Sequence, residues 1–248
     1  MAGGRRLLGR IMFVGHFGIG FGATAVVPRV SLGTLFFAAQ FVDLLWPTLL
    51  LLGVERVAIQ PGVTAVTPLD FLYYPISHSL LAVVCWAFVL GAVYYVTRRY
   101  RRGAVVVGLA VLSHWLLDAL THRPDLPLYP GGDWRIGLGL WSSVAATLAV
   151  ELFLFAVGIW LYLRTTRALD RAGTVGLWSL VIFLILIYAG NIFGDPPPSV
   201  GALAWVAQAQ WLLVLWGYWV DRHRQTLHRS LPERGGETGS GGEGVYLR

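Results

Sequence analysis

Long apolar runs constrain the fold of this chain more than any other feature. Seven of them are close to 20 residues, the length at which an α-helix crosses about 30 Å of hydrocarbon. Only 13% of the residues are charged, whereas soluble domains carry about 25%. The sequence therefore predicts an all-α fold, a polytopic bundle of transmembrane helices. The runs are 11–27, 31–53, 72–97, 103–120, 138–163, 174–194 and 200–220.

Arginine clusters lie beside these runs, and such clusters mark the cytoplasmic side of a membrane protein. All of them fall on one side only if the first two runs together cross the membrane once, so we expect about six crossings. Run 11–27 is short and rich in glycine, and we expect it to be re-entrant or to lie along the interface. The clusters are Arg5, Arg6 and Arg10, residues 98–102, residues 164–171, and Arg222 with Arg224.

The runs follow one another without a long polar linker, so residues 1–220 are predicted to form a single transmembrane domain. Its candidate site half is 11–125, and the remaining helices occupy 138–220. Residues 221–248 are basic and then rich in Gly, Glu and Ser, which predicts a disordered, cytoplasmic tail. The net charge of +6 fits anionic membrane lipid as the partner and not nucleic acid. The sequence contains no signal for an oligomeric state.

Six ionisable side chains lie inside apolar runs, where each is costly unless it is paired or bound to something. They are three histidines and three carboxylates, which are ligand types that suit a divalent transition metal. We therefore expect a shared metal site, with zinc as the favoured ion and manganese or iron as alternatives. The six residues are His16, Asp43, His78, His114, Asp118 and Glu151.

Helical spacing favours His114 and Asp118 as the centre of this site, because residues four apart share one helix face. His122 follows one turn later and is a further candidate ligand. His78 lies in the preceding run, which a short basic turn joins to this one as an antiparallel hairpin. Straight helices would place His78 level with His122, about 10 Å from the centre of the other two residues. Either a tilt closes this gap, or His122 belongs to a site larger than one metal.

The remaining candidates have more than one interpretation. Asp43 has no cation near it in the sequence, so it needs a proton or a metal. His16 has small neighbours that allow close approach of another element. Glu151 is a candidate ligand, a general base, or a partner that orients a histidine. Asp43 and Glu151 are thus the candidate proton acceptors of a catalytic reaction, while a buried hydrogen bond is the alternative role for His16 and Glu151.

Four motifs occur in order over residues 14–125, and together they resemble a known family. This family is the predicted membrane-bound metal-dependent hydrolases of bacterial and archaeal inner membranes, which is distantly similar to zinc-dependent phospholipase C. The resemblance implies that His16, Asp43, His78, His114 and Asp118 are metal-site residues, with a phosphoester or lipid-like substrate. A Pro-Asp-x-Asp cluster of the family is reduced here to Asp43, which argues against a two-metal site. The motifs are Gly15-His16, Phe41-Val42-Asp43, Ile76-Ser77-His78-Ser79 and Ser113-His114-Trp115-Leu116-Leu117-Asp118-Ala119.

The leading prediction is an integral membrane metal-dependent hydrolase of the prokaryotic inner membrane. In it, metal-activated water attacks a phosphoester or lipid-like substrate. One alternative is a transporter or an ion or proton pathway, because intramembrane His, Asp and Glu also serve such pathways. Another is a non-catalytic scaffold in which the metal acts as a strut. The sequence contains no G-x-S-x-G, H-E-x-x-H or P-loop motif, which argues against serine hydrolases, zincins and ATPases.

Overall fold

Helices make up most of the chain in the computed structural model, which describes residues 14–227 and 245–246. The prediction of an all-α bundle is confirmed, since the described strands are short. A single 3₁₀ turn, Leu140–Ser142, precedes the fifth helix. The α-helices are α1 Val14–Val26, α2 Leu32–Leu51, α3 Leu80–Arg98, α4 Arg101–Thr121, α5 Val144–Thr165, α6 Arg171–Phe193, α7 Val200–Ala207 and α8 Gln210–Arg222.

Short antiparallel strands connect the helices. One hairpin joins α2 to α3, a second lies between α4 and α5, and a third sheet ties the end of α5 to the chain after α8. The strands are β1 Arg56–Ile59, β2 Leu69–Tyr73, β3 Leu126–Pro127, β4 Arg135–Ile136, β5 Thr166–Ala168, β6 Arg224–Leu227 and β7 Val245–Tyr246, which pairs with β6.

Within the described residues, six spans are long and apolar enough to cross a membrane: α2 to α6, and α7 with α8 taken together. The described part of the earlier helix α1 has 13 residues, about 20 Å of helix, which is shorter than a membrane span. Its residues Phe17 and Phe21 are fully buried, and it packs against α2, α4 and α5. The described part of this segment is thus a short helix inside the bundle and not an interfacial one.

The arginine clusters within the described residues meet at one end of the bundle. The Arg29 guanidinium, in the α1–α2 turn, lies 4.8 Å from the ring centre of Tyr100 in the α3–α4 turn. At the start of α2, the Leu32 backbone N–H donates to the carboxylate of Asp221 in α8. Pairing of β5 with β6 brings the ends of α5 and α8 together. Residues 98–102 and 164–171 and Arg222 with Arg224 therefore share one side, as predicted; Arg5, Arg6 and Arg10 lie outside the described residues.

Three predicted boundaries differ from the observed ones. Residues 69–73 form a strand, and α3 begins only at Leu80, because the Ser79 side chain caps it by accepting the N–H of Ala82. Run 200–220 is broken between α7 and α8. The predicted tail begins too early, since α8 continues to Arg222 and β6 occupies Arg224–Leu227. Residues 228–244 and 247–248, the rest of the predicted disordered tail, lie outside the described residues.

Small residues let α1 and α5 approach each other closely. A Cβ atom on Gly158 would lie 2.1 Å from the carbonyl oxygen of Gly18, and a Cβ on Gly18 would lie 2.6 Å from that of Leu154. Gly22, one turn further along α1, faces Gly158 and Leu161, so the two helices run parallel. Close backbone contact of this kind is typical of membrane helix pairs. It holds the His16 helix against the bundle.

Replacing Gly158 with alanine is therefore expected to destabilise the protein. The added methyl group has no room beside the Gly18 carbonyl, and overpacking of this kind costs about 1–3 kcal/mol. Thermal unfolding in detergent should show a lower midpoint. Gly190→Ala is the matched control, because a Cβ there meets nothing within 4 Å. Equal midpoints for the two variants would contradict the tight α1–α5 contact.

Candidate metal centre

Five of the predicted residues converge in the interior of the bundle, although they come from four separate segments. They belong to α1, α2, the turn before α3, and α4, which supplies two of them. Between them these side chains place three imidazole nitrogens and two carboxylates around a common centre. The five residues are His16, Asp43, His78, His114 and Asp118.

The carboxylate of Asp118 is the hub of this cluster. Its Oδ1 atom lies 3.4 Å from Nε2 of His16. Its Oδ2 atom lies 3.3 Å from Nε2 of His114 and 3.7 Å from Nε2 of His78. On the opposite side, Oδ1 of Asp43 lies 3.6 Å from Nε2 of both His78 and His114. Every histidine in the cluster thus directs the same ring nitrogen at a carboxylate oxygen.

These separations suit a shared cation better than direct hydrogen bonds. A charge-assisted N–H···O bond is about 2.7–2.9 Å long, shorter than every distance above. Ligand atoms that surround a tetrahedral metal at about 2.0–2.1 Å lie roughly 3.4 Å from one another. Within the described residues, Nε2 of His114, Oδ2 of Asp118 and both ring nitrogens of His16 are buried without a hydrogen-bond partner. The donor set therefore fits a divalent ion.

The hydrogen bond on the far side of the His114 ring supports this fit. Its Nδ1 atom lies 2.8 Å from the backbone carbonyl oxygen of Ala39, and a carbonyl can only accept, so Nδ1 carries the proton. In a neutral imidazole the Nε2 atom then has a bare lone pair. That lone pair faces the carboxylates of Asp43 and Asp118. Acceptors that face one another in a buried site need a proton or a metal cation between them.

His78 lies much closer to the centre than the straight-helix argument predicted. The expected gap of about 10 Å is wrong because His78 is not helical: it lies in a turn just before the Ser79 cap of α3. The indole N–H of Trp115, on α4, donates to the backbone carbonyl of His78 at 2.9 Å. This bond holds the turn against α4 and brings the imidazole into the cluster.

His16 stacks on His114. Their ring centres are 3.8 Å apart and their planes differ by 5°, so both rings present Nε2 to the same carboxylate. The cluster accordingly contains two overlapping groups of three ligands that share His114: one with His16 and Asp118, the other with Asp43 and His78.

Asp43 is the member of the cluster that faces open space. Its side chain is 17% exposed, whereas those of the other four residues are at most 5% exposed. It lies at the edge of a largely apolar cavity of about 410 Å³ between α2, α6, α7 and α8. Trp46, Leu203 and Trp216 supply apolar walls, and the break between α7 and α8 adds Ala207, Ala209 and Gln210. A substrate in this cavity would approach the cluster from the side of Asp43.

The structure places His122 in a different group. Its Nδ1 atom lies 2.9 Å from Oδ1 of Asp125, which also accepts the Tyr74 hydroxyl at 3.2 Å. Burial alone would raise the pKa of Asp125, but hydrogen bonds from His122 and Arg123 outweigh it and lower that pKa. Burial and the neighbouring Asp125 raise the pKa of Tyr74. This network lies beyond the end of α4 and shares no side chain with the five-residue cluster.

Glu151 is likewise placed away from the cluster. It is fully buried, and its Oε2 atom accepts the backbone N–H of Val14 at 3.1 Å. This hydrogen bond links α5 to the start of the described part of α1, the helix that carries His16.

Two further polar residues, which the sequence analysis did not select, lie directly behind His78. Ser77 places its Oγ atom 2.7 Å from Nδ1 of His78. Glu55, in the turn after α2, accepts the Ser77 hydroxyl at 2.5 Å and is 1% exposed. The position of Glu55 immediately after the apolar run 31–53 is a weak sequence signal. The Ser-His pair of the third motif is a stronger one.

Comparison with known proteins identifies the family of this chain. The family model described as YdjM inner membrane protein matches residues 12–195, about three quarters of the chain, and this stretch contains all five residues of the cluster. No curated protein and no solved structure matches. With six candidate spans and this match, the chain is an integral membrane protein that belongs to the YdjM inner membrane protein family.

Proposed function

We propose that this chain is a metal-dependent hydrolase that acts inside the membrane on a phosphoester or another lipid-like substrate. The observation that carries the proposal is the set of imidazole nitrogens and carboxylate oxygens from His78, His114, Asp43 and Asp118, which face one another at 3.3–3.7 Å. Such a set is unfavourable in a membrane interior unless a cation lies at its centre. Zinc is the favoured ion for these ligands, with manganese or iron as alternatives.

A divalent ion in this site would supply a polarised, more acidic water and a Lewis acid for a phosphoryl or acyl oxygen. The side chains have separate tasks. His78 and His114 would hold the ion through Nε2, and Asp118 would hold it through Oδ2, while its Oδ1 atom faces Nε2 of His16 at 3.4 Å. Asp43, which faces the cavity, is placed to accept the proton of the attacking water. We assign the role of proton acceptor to Asp43 and not to Glu151, whose carboxylate binds the start of α1.

The cavity supports a lipid-like substrate. It opens beside Asp43 among α2, α6 and the span formed by α7 and α8, and its walls are mainly apolar, with Asn191 and Gln210 as polar groups. Sites of this composition bury the apolar part of a ligand and orient it by a few polar contacts. A membrane lipid fits this description, since it has apolar alkyl chains together with an ester group.

The arginine-rich end is assigned to the cytoplasm, because basic clusters remain on that side. Counting along α4 from Arg101, His114 lies about 20 Å from that end. In a hydrocarbon layer about 30 Å thick, the cluster would then lie in the half of the membrane that faces away from the cytoplasm. Lipids of that leaflet are the proposed substrates.

Lipid hydrolysis by the purified protein tests this function. The protein is loaded with Zn²⁺, Mn²⁺ or Fe²⁺ and reconstituted into vesicles of a total prokaryotic inner-membrane lipid extract, and products are measured by mass spectrometry. We expect a headgroup or acyl product that a chelator abolishes and added metal restores. Metal-dependent ion flux without any such product would overturn the proposal in favour of transport. Bound metal with neither activity would leave the strut role.

Filling the cavity is expected to separate substrate binding from metal binding. Leu203→Trp adds bulk to the cavity wall on α7, so hydrolysis should fall at least about tenfold, since small misplacements of a substrate cost up to about 100-fold. Metal content should not change, because Leu203 supplies no ligand atom to the cluster. Leu109→Trp is the matched control, since Leu109 is 56% exposed on the surface of α4. Equal hydrolysis by both variants would show that the cavity does not bind the substrate.

A further inference from the structure

Glu55 is a buried carboxylate that none of the steps above uses. It lies between α2 and β1, and within the described residues no arginine or histidine forms an ion pair with it. Its Oε1 atom accepts the backbone N–H groups of Ile76 and Ser77, both at 2.8 Å. Its Oε2 atom accepts the Ser77 hydroxyl at 2.5 Å. Three donors satisfy a charge that would otherwise be costly to bury.

These contacts determine the direction of the next hydrogen bond. An ionised carboxylate can only accept, and a serine hydroxyl has one proton. Since that proton is donated to Glu55, the Ser77 oxygen must accept at its 2.7 Å contact with Nδ1 of His78. Nδ1 of His78 therefore carries the proton, and a neutral ring has its lone pair on Nε2. This is the nitrogen that faces Asp43 and Asp118.

We propose that Glu55 is a positioning residue that acts through Ser77 to hold His78 in the tautomer whose Nε2 atom binds the metal. The inference rests on the proposed function, because it assumes that Nε2 has a metal to bind. Metal-ligating histidines commonly donate their other ring N–H to a carboxylate or carbonyl, which fixes the tautomer and the ring orientation. Here a serine hydroxyl stands between the ring and the carboxylate.

The substitution Glu55→Gln tests this role. It reverses the direction of the hydrogen bonds that connect residue 55 through Ser77 to His78, and it keeps the shape of the side chain. The glutamine oxygen must remain at the Oε1 position, since two backbone N–H groups point at it. Its NH₂ group then faces Ser77 and donates to the hydroxyl oxygen. The Ser77 proton is redirected to Nδ1 of His78, and the ring proton moves to Nε2. A protonated Nε2 cannot bind a metal.

The measurement is the Zn²⁺ dissociation constant of the purified full-length protein, determined by competition with a chelator. We expect Glu55→Gln to weaken Zn²⁺ binding about 10- to 100-fold, the usual cost of losing an outer-shell partner. Ser77→Thr, which keeps the hydroxyl, should retain more of the affinity than Ser77→Ala. In the Ser77→Ala background, Glu55→Gln should have no further effect, because the connection to His78 is already absent.

Asp125→Asn is the matched control, since Asp125 is also a buried carboxylate beside a histidine Nδ1, that of His122, but outside the cluster. It should leave the Zn²⁺ affinity unchanged. Wild-type affinity in Glu55→Gln would overturn the inference and leave the metal site standing. If Glu55→Gln lowered the Zn²⁺ affinity equally in the wild-type and Ser77→Ala backgrounds, the inference would also be overturned, because Glu55 would then act only by stabilising the loop. Failure of the wild-type protein to bind any of Zn²⁺, Mn²⁺ and Fe²⁺ would instead refute the proposed function.

Discussion

Protein that carries Asp118→Ala should purify with less than about a tenth of the metal bound by the wild type. Loss of a partner that only supports a ligand costs about 10–100-fold in metal affinity. Asp118 is itself a proposed ligand, so its loss should cost at least as much. Its two oxygens face three imidazoles at 3.3–3.7 Å, so its removal takes away the hub of the cluster. It also leaves one carboxylate, Asp43, to balance a divalent charge. Elemental analysis of both proteins, normalised to protein concentration, gives the result.

Asp170→Ala is the control for this experiment. Asp170 also pairs with a histidine, at 2.8 Å from Nδ1 of His223, but at the arginine-rich end of the bundle. The metal content of the Asp170→Ala variant should equal that of the wild type. Asp118→Asn, which keeps the shape of the side chain, distinguishes loss of the ligand from loss of the fold. If both Asp118 variants retained full metal content, the five side chains would not share an ion.

The convergence of the cluster could be predicted because a bilayer makes isolated ionisable groups costly. That argument depends on residue type and on depth, and both can be read from apolar runs. It selected His16, Asp43, His78, His114 and Asp118 before any contact was known. It also selected Glu151, because the same argument cannot name a partner. The backbone N–H of Val14, which binds Glu151, has no signature in the sequence.

Local backbone geometry explains the two errors of position. His122 was placed on the same face as His114 by helical counting, but α4 ends at Thr121. His122 has extended dihedral angles, φ −61° and ψ 148°, so its ring turns away towards Asp125. His78 was moved the other way, into the cluster, by the strand and turn that precede α3. In both cases a helix was assumed to continue past its true end, where periodicity no longer applies.

The role of Glu55 could not be predicted for a different reason. It lies in a segment that composition marks only as a linker, yet β1 and β2 fold that segment back on the bundle. Its partners are two backbone N–H groups and one hydroxyl, which no spacing rule connects. The cavity could not be predicted from the sequence either, because it depends on the break between α7 and α8 inside one continuous apolar run.

Replacing Asp43 with asparagine should abolish most hydrolysis while part of the metal binding survives. Asparagine keeps the shape of the side chain and an oxygen that can contact an ion, but it cannot accept a proton. Loss of a general base lowers rates by about 10²- to 10⁴-fold. Asp43 is the expected base because it alone among the five cluster residues lines the cavity. The variant is assayed at saturating Zn²⁺, so that weaker metal affinity does not limit the rate.

Asn191→Ala provides the comparison, because Asn191 lines the same cavity but cannot act as a base. Its effect should appear mainly in KM, whereas that of Asp43→Asn should appear in kcat. A kcat near that of the wild type in metal-saturated Asp43→Asn would mean that the attacking water loses its proton elsewhere. The next candidate would be Asp118, whose second oxygen faces His16. In that case His16→Ala, which leaves Asp43 in place, should produce the fall in kcat instead.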